Sequence, residues 1–199
     1  MIRELVFAFL HVATRVRYRF ARLGKGSIVK PFPRKIHGTQ YIFIGEGCFF
    51  GDGLVLVATK NSGSTSEGPK ILIGDRCVFG AGAFISCTHS IHVGADVLTS
   101  ARVFIGDSYH GYSDPSKPII QQGMEGENEI KIGDGSFLGI GCAVLSGVTL
   151  GKNCFVGANA VVTKSFGDYS VIAGNPARLI KRYDLERKKW VAMDDAPVG

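Results

Sequence analysis

Apolar residues return every six positions along the middle of this chain. The clearest run is IGDGSF, LGIGCA, VLSGVT, LGKNCF, VGANAV, VTKSFG, over residues 132–167. Earlier runs cover 44–61, 73–90 and 93–110. Of the fifteen units, fourteen have an apolar first position, with Thr99 the exception, and ten have glycine second. A period of six matches neither the 3.6 residues of a helix nor the two of a strand. It fits short strands joined by tight corners, three to a triangular coil. The first residue points inward and stacks on its copy one coil away, and glycine tolerates the corner. One unit cannot bury its apolar face alone, so coils must stack. The pattern therefore predicts an all-β protein, a parallel β-helix of about five coils. Cys48, Cys77, Cys142 and Cys154 all take the fifth position of their units. They read as small buried hydrophobes, not as ligands or nucleophiles.

A solenoid puts its insertions in loops. Residues 62–70 form a short polar loop, and Ser90 to His92 shift the register slightly. The large break is 111–131, with His110 at its root. Loops of that length in compact domains tend to be functional. The ends differ from the middle. Residues 2–22 predict an amphipathic helix, with Leu5, Phe9, Val12, Val16 and Phe20 at helical spacing. Residues 177–190 predict a short basic helix after the turn Gly174-Asn175-Pro176. Three segments follow: a basic helix at 1–24, the β-helix at 25–176 with its loop 111–131, and a C-terminal helix and tail at 177–199.

Composition adds little except in charge. The net charge is +6, but residues 1–38 hold nine Lys/Arg against Glu4 alone. Such an end suits an anionic surface or a solvated helix face; no nucleic acid is expected as a partner. Five cysteines without a CxxC pair argue against a zinc ribbon or redox motif. No cleavable leader and no membrane-spanning run is apparent. The expected location is the cytoplasm, with contact at the inner membrane face through the basic helix as an option.

The end of the repeat, VGANAVVTKSFGDYSVIAGNPARLIKRYD, resembles the end of hexapeptide-repeat acyltransferases of the maltose, galactoside and xenobiotic acetyltransferase group. Those proteins close on G-A-x-[AS]-V-V-T-K, then G-N-P-A-[KR]-x-I. The opening GKGSIVKPFPRKIHGTQYIFIG is similar to members that acetylate sugars of surface polysaccharides. The resemblance implies a left-handed coil, a homotrimer with its active site between neighbours, and acetyl-CoA as acyl donor. It places the catalytic histidine after a run of the type V-x-I-x-x-x-x-H, here Val103 to His110. It carries coenzyme contacts to Ile140, Ala158, Thr163, Lys164, Arg178 and Lys181. Where this group often has Trp-Ile-Gly the chain has Phe137-Leu138-Gly139. Of the D-H-x-H-G segment common in the polysaccharide group, only His110 remains of the histidine pair.

Transfer to a hydroxyl needs a base, because an alcohol is a poor nucleophile at neutral pH. A neutral imidazole suits the task. His110 is therefore the candidate base, acting by direct attack without an acyl-enzyme. Asp107 is the candidate to fix its tautomer, with Asp114 as rival. His89 and His92 are candidates for the acceptor pocket; the fifth position of His89 also fits a buried structural residue. No metal is expected. Three readings compete with O-acetylation of a sugar: N-acetylation of an amino-sugar, a zinc-dependent carbonic anhydrase on the same coil, and a non-catalytic scaffold.

Overall fold

The structure, a computed structural model, describes residues 2–60 and 70–193, with side chains from residue 5 onward. The polar loop expected at 62–70 therefore lies, except for Lys70, outside the described residues. A helix, Ile2–Tyr18 (α1), precedes a stack of short strands. The strands form three parallel sheets, and each successive strand moves to the next sheet. Their order gives six coils, at 22–37, 42–58, 70–87, 90–106, 130–144 and 149–162. The fifteen hexads account for the last five. The first coil escapes the pattern because Pro31-Phe32-Pro33 interrupts its hexads. Its strands still pair in register, Ile28 with Phe49 and Ile36 with Leu56.

The first hexad positions and most of the fifth fill the core; Lys60, His89 and Tyr109, at fifth positions, are exposed. Ile132, Leu138, Val144, Leu150 and Val156 stack with Cys142, Val148 and Cys154, all buried. All five cysteines are buried free thiols, including Cys87 at a third position. Phe50 lies parallel on Phe79, centroids 4.9 Å apart. The two hexad glycines have different causes. Gly135, at a fourth position, has φ +67°, which L side chains rarely adopt. Gly133, at a second position, needs no unusual φ. A Cβ there would lie 2.5 Å from the Gly151 carbonyl carbon of the next coil. Close approach of coils, more than corner geometry, explains the second-position glycines.

The two ends of the stack are closed differently. At the start, α1 lies across the first coil. The Thr14 hydroxyl accepts from the Val29 amide (3.1 Å) and donates to the Leu10 carbonyl (2.8 Å), and His11 Nδ1 meets the Ser27 carbonyl at 2.7 Å. At the far end the expected helix at 177–190 is absent. Ala177–Asp184 instead runs antiparallel along Ser170–Gly174, and Lys189–Ala192 pairs with it in turn. The physical reason is the open edge of the second sheet, whose amides and carbonyls need partners. Tyr183 packs edge-on against Trp190 across the hairpin at 5.4 Å. The Asp184 carboxylate closes the turn by accepting from the amides of Glu186 and Arg187.

Candidate active site

The long insertion leaves the third sheet after Phe104–Gly106 and rejoins the first at Ile130–Ile132. It is a braced hairpin. Tyr109 and His110 pair antiparallel with Glu125 and Met124, and the Gly111 amide donates to the Gly123 carbonyl at 2.7 Å. Gln122 ties the interior, its amide group donating to the Asp114 and Lys117 carbonyls and accepting from the Asp114 amide, each at 3.0 Å. The Ser146 hydroxyl staples the root. It contacts the carbonyls of Asp107 (2.7 Å) and Gly126, and the Asn128 amide at 3.2 Å. Nothing in the hexad pattern marked Ser146 or Gln122, because both act through backbone brought close only by the fold.

His110 is exposed at this root, and no side chain among the described residues hydrogen-bonds its imidazole. Asp107 is not its orienting partner. That carboxylate is fully buried and turned the other way. Its Oδ1 accepts from the amide and hydroxyl of Thr88 (2.8 and 3.2 Å), and its Oδ2 from the amides of His89 and Ser90 (2.8 and 2.9 Å). Both oxygens are occupied in holding the corner between coils three and four. Asp114 is likewise engaged inside the loop, by Ser116 and by Lys117 at 2.8 Å. The Lys117 ammonium and the Ser116 donors hold its carboxyl below the usual range.

His89 is exposed, not a buried structural residue. Its fifth position falls at the corner between the third and first sheets. There only Thr88 and His89 separate the two strands, and the turn is gathered on Asp107. His92 is half-buried on the outer face of the first sheet, 3.5 Å from Glu129. Lys131 also pairs with Glu129 and keeps that carboxyl low. The described residues contain no group of three His, Cys, Asp or Glu side chains arranged to hold a metal ion.

A cavity of about 520 Å³ opens beside the loop root, lined by Phe104, Ser108, Tyr109, Tyr112, Leu145 and Thr163 among others. Tyr109 and Tyr112 form an exposed aromatic pair, centroids 5.8 Å apart. The register explains why Thr163 is here. Ile105 pairs with Val144 and Val144 with Val162, so Gly106, Leu145 and Thr163 rise in one column. Lys164 follows directly, its ammonium 5.8 Å from the Phe166 ring.

The other residues expected to meet the coenzyme lie at a different corner, between the second and third sheets. Ile140 sits one coil below Ala158, linked by the Asn159 amide donating to the Ile140 carbonyl at 2.8 Å. Ala173 covers Gly157 and pairs with Arg178. Ile140, Ala158, Ala173 and Arg178 thus climb one edge in steps of roughly 5 Å. Lys181 stands apart, opposite Val171 and Ala192 and about 10 Å along the strand from Arg178. Ile140, Ala158, Arg178 and Lys181 are exposed, and Ala173 is half-buried.

This geometry has known relatives. Residues 129–164 match the family "Bacterial transferase hexapeptide (six repeats)", and 70–106 match "Hexapeptide repeat of succinyl-transferase". The chain is 35% identical over 183 residues to "Putative lipopolysaccharide biosynthesis O-acetyl transferase WbbJ" of Escherichia coli, covering 89% of this chain and 87% of that one. The chain belongs to the hexapeptide-repeat acyltransferases. It is also 31% identical over 175 residues to "Probable acetyltransferase Rv3034c" of Mycobacterium tuberculosis, where it spans 88% of itself and 53% of that protein. Among solved structures, the N-acyltransferase AntD of Bacillus cereus, in complex with dTDP and coenzyme A, superposes with a TM-score of 0.71. The match covers 88% of this chain and 90% of that one at 18% identity. The likeness establishes the shared left-handed β-helix.

Proposed function

We propose that the protein transfers an acetyl group from acetyl-CoA to a hydroxyl of a sugar, with His110 as general base. The observation that carries this is the exposed His110 at the root of a braced loop, next in the chain to Tyr109, which lines a cavity together with Thr163. Similarity to a protein described as a lipopolysaccharide O-acetyl transferase supports a surface glycan as the acceptor class. The Tyr109 and Tyr112 rings offer the apolar face that a pyranose ring packs against. In the reaction His110 takes the proton as the hydroxyl oxygen attacks the thioester carbonyl carbon. The tetrahedral intermediate collapses with loss of the CoA thiolate, which recovers the proton from the imidazolium. Base assistance of this kind contributes on the order of 10²–10⁴-fold.

Ile140 and Ala158 would flank the pantetheine arm, with Lys164 and Arg178 meeting phosphate. Lys181, set apart from them, would serve only the outermost phosphate. One chain separates these residues onto two corners, so we place the site between neighbouring copies in a homotrimer. His89, with its amide on Asp107, would border the acceptor side.

The test is turnover of acetyl-CoA by the purified protein with a panel of sugars, read by release of free thiol. His110→Ala should lower turnover at least a hundredfold while CoA binding persists. Near-normal turnover in that variant would end the assignment. An alkali-stable product would show an amide, and thus an amino-sugar acceptor. Absence of CoA affinity would point to a scaffold.

A further inference from the structure

The helix α1 is apolar on two opposite faces. One face, with Leu10, Thr14 and Tyr18, rests on the first coil. On the other, Leu5, Phe9, Val12 and Val16 fall within an arc of about 60° at 3.6 residues per turn. All four are exposed, Phe9 by 71% and Val16 by 70%. Arg15 and Arg17 project from the two flanks of this stripe, each roughly 100° from its centre. Both are exposed. The surrounding chain is strongly basic, since residues 1–38 carry nine Lys/Arg against one Glu.

We infer that this outward face of α1 docks the protein on an anionic phospholipid surface, lying flat in the interface. Three observations select that occupant. The stripe is a narrow row of large apolar side chains, the shape that an interfacial helix sinks into the acyl boundary. Arginines at both flanks can keep their guanidinium groups at headgroup level while the stripe is buried. The charge decides against a second copy, because apposing two identical strongly basic ends brings like charges together, whereas an anionic leaflet attracts them. Helix α1 is not a span: no described helix is long and apolar enough to cross a membrane. Docking through α1 leaves the loop root of coil four roughly 15 Å further along the axis, at about 5 Å per coil. That distance suits an acceptor carried on a lipid.

This inference stands apart from the transfer reaction, since it is read without turnover. The experiment is flotation of the full chain with vesicles of phosphatidylcholine alone and with 30% phosphatidylglycerol. The protein should float with the anionic vesicles at least tenfold better than with the neutral ones. The advantage should shrink when salt is raised from about 50 to 500 mM. The triple variant Phe9→Ser, Val12→Ser, Val16→Ser alters only exposed positions. It should keep the native melting temperature and lose anionic binding at least tenfold. Arg15→Glu with Arg17→Glu should lose it as well. Equal flotation of the triple variant and the native chain would overturn the proposal. So would a native chain that stays unbound, or a triple variant whose mass in solution drops, which would assign the stripe to contact between copies.

Discussion

Replacing Asp107 by asparagine separates two roles for that residue. The carboxylate is fully buried and receives four donors within 3.2 Å, three of them backbone amides. Asparagine keeps the shape but turns one acceptor oxygen into an NH₂ group. Whichever way it is placed, that end faces donors, so about two buried N–H or O–H groups lose their partner. Each costs about 1–3 kcal/mol, giving about 4 kcal/mol in total. For a chain of this size 1 kcal/mol shifts Tm by about 2–4 °C, so Asp107→Asn should melt roughly 10 °C lower. Thermal unfolding followed by circular dichroism measures this. Turnover assayed well below the lowered Tm should fall modestly, as the 88–90 corner and the loop root loosen. If Asp107 instead oriented the imidazole of His110, the variant would melt within 2 °C of the native protein. It would then lose turnover on the order of 10⁴-fold, the usual cost of a missing orienting carboxylate. That pair of results would refute the structural assignment.

Gly133→Ala should destabilise severely, because its Cβ would sit 2.5 Å from backbone of the next coil. Gly123→Ala, with nothing within 4 Å, should melt within about 2 °C of the native chain, since surface changes of this kind stay near ±0.5 kcal/mol. The five cysteines should resist a thiol reagent in the folded protein and react only in urea. All are buried, and burial pushes the Cys142 thiol up to about 12; rapid native labelling of any one would show a corner that opens. Burial holds the His92 imidazole below its ordinary 6.5, against the pull of Glu129. The native state then binds that proton less readily than the unfolded chain. Its contribution to stability is full above about pH 6.5 and is lost as the pH falls through the lowered value. An NMR titration of His92 with a midpoint above 6.5 would show the Glu129 pair outweighing burial.

The six-residue repeat determined the coil by itself. Apolar residues at fourteen of fifteen first positions, with mostly small residues at the fifth, can bury their faces only by stacking. The same pattern exposed the long insertion and so drew attention to His110. It was silent where structure depends on groups distant in the chain. Whether 177–190 became helix or strand was decided by the unpaired edge left at Ser170–Gly174, which local propensity does not register. The first coil formed without clean hexads because coil two offered it a paired edge. The role of Asp107 was decided by three amides from the turn above it, eighteen or so residues earlier in the chain. The position of His89 was decided by the same turn. The direction of the α1 stripe, outward and not onto the coil, depended on which face found Ser27 and Val29. Periodicity records what a segment must bury, whereas only the tertiary structure decides which neighbour arrives to bury it and which polar groups it leaves free for chemistry.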